Sequence, residues 1–274
     1  MMTYMLAHIP IWLRLILVGV LLYLVVAMVV HLVADRMIFL PPRASYGDDL
    51  ENLHMLQTED DESIAALHLP ARGNFPTLLY SHGNAEDLGH SLDFYRSCQR
   101  AGFGVLVYDY PGYGQSTGKP TEASCERAIL AGWEFLINDQ KLSPNEIVVV
   151  GLSVGSGPSV WLDTQKSPRA MVLIAPFKST YAVMSPADRL FFGNRFPNIG
   201  RIRQSTTPLL IVHGELDRVI PPAHGRALHA ASPAEPKQFL SLADAGHNDL
   251  YQLAEAEVIA AMRDFCQPPN PTRQ

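Results

Sequence analysis

The sequence predicts an α/β domain with a mostly parallel central sheet, helices on both faces, a short lid insertion and an N-terminal transmembrane helix. Three observations carry that expectation. Strand-like runs alternate with helical patterns along most of the chain, those runs are continuously apolar, and the first forty residues differ in kind from everything after them. Alternation of this sort builds βαβ units, and apolar runs without polar interruption suit parallel strands covered on both faces.

From Leu15 to Ala34 the chain runs for twenty residues without a formal charge. At about 1.5 Å per residue, a helix of that length spans roughly 30 Å, the thickness of a bilayer's hydrocarbon core. A cleaved signal peptide is the competing reading, but its apolar stretch is shorter and ends in small residues, whereas this one ends Leu32-Val33-Ala34. The expectation is an uncleaved single-pass anchor over residues 1–40, with its membrane helix at about 12–34. Arg14 precedes the span, and Arg36 and Arg43 follow it beside Asp35, Asp48 and Asp49. These flanks balance, so loop charge assigns no membrane face to the domain. Pro41 and Pro42 open an extended linker over 41–50.

The α/β domain is expected over 51–267, with 268–274 as a flexible tail. Runs 53–58 and 64–69 flank the acidic turn Glu59-Asp60-Asp61-Glu62 and read as a strand pair. Further strands are expected at 77–81, 105–108, 147–150, 171–174, 209–212 and 238–242. Helical patterns fall at 87–100, 121–138, 157–165, 223–231 and 249–265. Between Ala175 and Leu209 the alternation breaks. This interval holds Tyr181, Phe191 and Phe192 among glycines and prolines, and it is expected to form a lid (about 177–205) whose aromatic side chains contact substrate. The alternative is an excursion packed on the core.

Composition narrows the function classes. The chain has 274 residues, 47% hydrophobic, with a formal net charge of −6 and no run of Lys or Arg, which argues against nucleic acid as a partner. Its three cysteines, Cys98, Cys125 and Cys266, lack metal-ligand spacing and form no disulfide framework; they read as ordinary core thiols.

The chemistry is carried by Gly151-Leu152-Ser153-Val154-Gly155, placed after a strand and before a helix. A serine on such a turn is strained, and the glycines on either side relieve the close approach of the chain, which is the nucleophile elbow of the α/β-hydrolase fold. A serine hydroxyl needs a base to take its proton, and the base needs an acid to hold its tautomer. In this fold they follow in the order Ser, Asp/Glu, His. Asp217 lies after the 209–212 strand and His247 after the last strand, so both stand at strand carboxyl ends, where open α/β sheets keep their working residues. Glu215 is the rival acid, and Asp249 reads as a helix cap. The oxyanion donors are expected to be the backbone amides of Val154 and Asn84, with His82 ordering the Asn84 loop. The glycine-rich run from Tyr108 to Gly118 lacks a phosphate-loop pattern and reads as structural, with Asp109 bonding backbone.

Together, Ser81-His82-Gly83-Asn84-Ala85, the Tyr108–Ser116 run, the serine elbow, Phe196-Pro197-Asn198, His213-Gly214, Asp217-x-Val219-Ile220-Pro221 and Ala245-Gly246-His247-Asn248-Asp249 are similar to the membrane-associated serine hydrolases related to the protein depalmitoylases, including their bacterial relatives. The resemblance covers roughly residues 50 to 265. It places Ser153, Asp217 and His247 at the family's triad positions, and it implies acyl ester or thioester hydrolysis. The depalmitoylases attach through an acylated, Cys-rich amino terminus; this chain has no Cys before Cys98, which favours a more general ester or thioester hydrolase working near a membrane. No metal or organic cofactor is implied. A small-peptide serine peptidase and a non-catalytic binding protein on the same fold are the alternatives.

Overall fold

The computed structural model describes residues 10–185 and 193–267. An apolar helix, α1 (Ile11–Ile38), precedes β1 (Leu53–Gln57), β2 (Ser63–Leu69), β3 (Thr77–Ser81), α2 (Leu92–Arg100), β4 (Gly104–Tyr108) and α3 (Glu122–Glu134). After these come β5 (Ile147–Leu152), α4 (Ser156–Gln165), β6 (Ala170–Ile174), α5 (Thr180–Met184) and α6 (Asn198–Arg201). The chain then forms β7 (Leu209–Gly214), α7 (Ala223–Ala231), β8 (Lys237–Leu242) and α8 (Leu250–Cys266).

The strands form one eight-stranded sheet in the order β1-β2-β4-β3-β5-β6-β7-β8. The first two strands run antiparallel, as the acidic turn requires, and β3 to β8 pair in parallel. Side chains alternate across a strand, so each apolar run supplies two cores at once. Leu78, Tyr80, Val148 and Val150 pack with Phe94 and Cys98 of α2 and Met262 of α8. Their neighbours Leu79, Ile147 and Val149 pack on the other face with Ile129 and Trp133 of α3 and Leu162 of α4. That double coverage explains why these strands carry no polar alternation. All three cysteines are buried free thiols.

Within the α/β domain two helix boundaries differ from expectation by more than one residue, each for a local reason. Helix α2 begins at Leu92 rather than at Asp87, because the Asp87 carboxylate organises a loop: it accepts from Ser45 N–H (2.6 Å), Gly89 N–H (3.1 Å) and His90 N–H (3.2 Å). Helix α3 starts on a reciprocal cap, Thr121 Oγ1 accepting from Ser124 N–H (3.0 Å) and Ser124 Oγ from Thr121 N–H (2.8 Å). Beyond Glu134 its last turn widens, so that Gln140 N–H reaches the Phe135 carbonyl at 3.0 Å.

Helix α1 is long and apolar enough to cross a membrane: its most apolar window has a mean hydropathy of 2.9 and is 6% buried. It runs four residues past the expected end, through Asp35 and Arg36 to Ile38. Its last turns are not free of the domain, since Ala34, Ile38 and the following Phe39 are buried in the α3–α4 core. Nor is the segment after it a free linker. Arg43 bridges Gly114 in a short parallel pairing, Ser45 bonds Asp87, and Tyr46 Oη donates to Asp109.

Candidate active site

The turn after β5 holds Ser153 at φ = +52°, the left-handed region that an L-residue occupies only under strain. The glycines two residues to either side let the chain approach this closely. A Cβ on Gly155 would collide with the Ser81 carbonyl of β3, and one on Gly151 would lie 2.5 Å from the Gly155 carbonyl oxygen. The serine hydroxyl is thereby presented at the carboxyl end of β5, immediately before α4.

His247 comes to the same point from the loop after β8. Its Nε2 lies 3.0 Å from Ser153 Oγ, and its Nδ1 lies 2.7 Å from Asp217 Oδ2. The loops that carry Asp217 and His247 are stitched together by Leu216 N–H donating to the Ala245 carbonyl (3.0 Å), and within the His247 loop Gly246 N–H donates to Asp249 Oδ1 (2.7 Å). Asp217 is fixed from its other side, Oδ1 accepting from Val219 N–H (2.9 Å) and Ile220 N–H (2.7 Å). Burial acts to raise the Asp217 carboxyl. Hydrogen bonds from His213 and His247, the charge of His247 and the Ile220 amide outweigh it and hold the group well below the usual carboxylate range. A low-lying acid stays ionised and keeps the proton on Nδ1 of His247, leaving Nε2 to face Ser153 as an acceptor.

Ser153, Val154 and His247 line a cleft of about 960 Å³ that is predominantly apolar. Asn84, on the loop after β3, lines it too. That loop is ordered by His82, fully buried, whose Nδ1 lies 2.7 Å from the Gly83 carbonyl and whose Nε2 lies 3.4 Å from Asp109. Asp109 in turn accepts from Leu88 N–H at 2.7 Å, which is the backbone role expected of it.

The comparisons with known proteins bear on the fold and the family. A family model described as alpha/beta hydrolase fold matches residues 76–201. Human alpha/beta hydrolase domain-containing protein 17B is 38% identical over 212 residues, covering 76% of this chain and 73% of the relative. The chain belongs to this family of α/β hydrolases. The Xenopus tropicalis protein of the same name is 37% identical over 212 residues. Among solved structures, an esterase of Pyrococcus furiosus is similar with a TM-score of 0.68 at 20% identity, covering 83% of this chain and 97% of that one, a likeness of fold. Fold and family thus stand as the motifs implied.

Within this hydrolase, the remaining residues singled out in the sequence separate clearly. Glu215, the rival acid, points away from His247 and bonds Arg226 and Ser241. Asp249 precedes α8 but bonds Gly246 instead of capping the helix with its side chain. Tyr181 does not line the cleft: it is buried in the core with Phe177 and Phe196, while its helix neighbours Thr180, Val183 and Met184 line the cleft instead. One turn of helix decides this, because residues adjacent in sequence project about 100° apart. Phe191 and Phe192 lie outside the described residues. Sequence reasoning gave no role to His213, which is fully buried at the end of β7, its Nε2 lying 2.8 Å from the Ile220 carbonyl and 3.4 Å from Asp217 Oδ2. The signal available for it was its position, four residues before the acid and at a strand's last turn.

Proposed function

We propose that the protein is a serine hydrolase that cleaves acyl esters or thioesters through an acyl-enzyme, with Ser153 as nucleophile, His247 as base and Asp217 as acid. The observation that carries this reading is the relay of contacts from Ser153 Oγ to His247 Nε2 and from His247 Nδ1 to Asp217 on the wall of an apolar cleft. Ser153 Oγ adds to the acyl carbon while His247 Nε2 takes its proton, and the carbonyl π electrons move onto oxygen. The backbone amides of Val154 and Asn84 are the donors assigned to that oxyanion. Collapse of the adduct expels the alcohol or thiol, which receives the proton from His247. Water then gives a proton to His247, attacks the acyl-enzyme, and releases the carboxylic acid as Ser153 regains its hydrogen. In the same reading α1 crosses a membrane, the domain acts beside it, and the lid segment covers the cleft.

The test is fluorophosphonate labelling of the full chain, combined with hydrolysis of p-nitrophenyl esters against aminoacyl-nitroanilides. The wild type is expected to label and to prefer esters, and Ser153→Ala to abolish both signals with an unchanged thermal melt. An unlabelled wild type would return the chain to a non-catalytic role, and preference for anilides would make it a peptidase.

A further inference from the structure

The cleft wall is built partly by the end of the anchor helix. Met37, Ile38 and Leu40 line the same cleft as Ser153 and His247, together with Val183 and Met184 of α5. Buried Phe39 packs edge-on against Phe196, with ring centroids 6.2 Å apart. This stretch is clamped to the loop that carries Asn84. The Ile38 carbonyl, one of the groups a helix end leaves without an internal partner, accepts from Asn84 Nδ2 at 2.5 Å. Leu40 N–H donates to Asn84 Oδ1 (3.1 Å) and lies 3.0 Å from Tyr113 Oη, which itself donates to Asn84 Oδ1 at 2.7 Å. One turn earlier, Asp35 accepts from Arg195 Nε at 2.8 Å, joining the helix to the segment between β6 and β7. The side chain of Asn84 therefore serves the anchor, while its backbone belongs to the loop bordering Ser153.

Met37 and Leu40 are 54% and 56% exposed, and Met184 and Val219, which line the same cleft, are about equally so. Half-exposed apolar side chains around the mouth of a cleft have surface left to bury on a ligand. They follow the apolar span of α1 by only three and six residues, past Asp35 and Arg36, so the helix that would sit in the membrane leads directly into the cleft wall. We propose that Met37 and Leu40 form the acyl-chain wall of the site, so that the anchor selects long-chain substrates drawn from the bilayer it crosses. This rests on the acyl-hydrolase reading above and assigns the residues through which that site reads acyl-chain length.

The experiment uses the full chain in detergent micelles and reads the ratio of kcat/KM for p-nitrophenyl laurate to that for the butyrate. The double variant Met37→Ser, Leu40→Ser is expected to lower this ratio about tenfold, since two half-buried apolar contacts are lost on the long chain. Leu40→Trp, which narrows the cleft without removing apolar surface, should lower the ratio as well. Met55→Ser removes an exposed apolar side chain on β1, away from the cleft, and should leave the ratio at the wild-type value. An unchanged ratio in the Met37, Leu40 variant overturns the proposal, as does an equal fall in Met55→Ser. A fall in both rates together, with the ratio kept, also overturns it, because the wall would then support the site without reading the chain. If the wild type neither labels with a fluorophosphonate nor cleaves either ester, the hydrolase reading itself fails and this inference falls with it.

Discussion

Replacing Asp217 by Asn tests the role of the acid while leaving its shape almost unchanged. The carboxylate serves two separate sets of partners. Oδ1 holds the Val219 and Ile220 amides at 2.9 and 2.7 Å, and Oδ2 lies 2.7 Å from His247 Nδ1. An asparagine keeps the first set by placing its carbonyl oxygen at Oδ1, which leaves its NH₂ facing His247. Two N–H groups cannot share that contact, so His247 must move its proton to Nε2. The Nε2 lone pair that faces Ser153 Oγ at 3.0 Å is then lost, and with it the acceptor for the serine proton. Swapping a triad carboxylate for its amide costs about 10⁴ in kcat, or roughly 5 kcal/mol of barrier. The assay is p-nitrophenyl butyrate hydrolysis by wild type, Asp217→Asn and Glu215→Gln, each with a thermal melt. Asp217→Asn should lose about four orders of magnitude, while Glu215→Gln stays close to wild type. An Asp217→Asn enzyme within tenfold of wild type, or a larger loss in Glu215→Gln, would refute the assignment of the acid.

Stability offers further tests. The Asp217 carboxyl is depressed in the folded state, so its stabilisation is present above the unfolded carboxylate range near pH 4 and is lost as pH falls further; the Tm gap between wild type and Asp217→Asn should close on acidification. Glu126 behaves oppositely. Burial raises it to about 7 against the pull of Arg201, so the folded state holds a proton that the unfolded state has released. Stability should therefore fall as pH rises from about 4.5 to 7, and Glu126→Gln should flatten that slope in melts run across the window. Gly157→Ala drives a Cβ into the ring of buried Phe196. The expected cost of such overpacking is about 1–3 kcal/mol, seen as a Tm lower by several degrees; an unchanged Tm would show that Phe196 can yield.

Much of this was legible in the sequence because it depends on local pattern. Continuous apolar runs marked β3 to β7 to within a residue or two, since a strand covered on both faces must be apolar at successive positions. The Gly-Leu-Ser-Val-Gly turn was legible because only glycine tolerates the carbonyls of Ser81 and Gly155 at those distances. Boundaries failed where a side chain was committed elsewhere. Asp87 could have opened a helix, yet its oxygens bind Ser45, forty-two residues away in sequence.

By itself, the sequence determined the order of strands and helices, the apolar span of α1, and that Ser153, Glu215, Asp217 and His247 stand near strand ends. These follow from periodicity, composition and chain order, all of which are one-dimensional. Only the tertiary structure decided that Asp217 rather than Glu215 meets His247, that Tyr181 packs in the core while Val183 and Met184 line the cleft, and that His213 supports the acid from below. It also decided that Ile38 and Leu40 are held by Asn84, joining the last turn of an apparent tether to the loop beside the nucleophile. Two physical reasons account for most of this. A difference of one or two residues turns a side chain to another face, and a hydrogen bond between groups more than forty residues apart leaves no periodic trace in the chain.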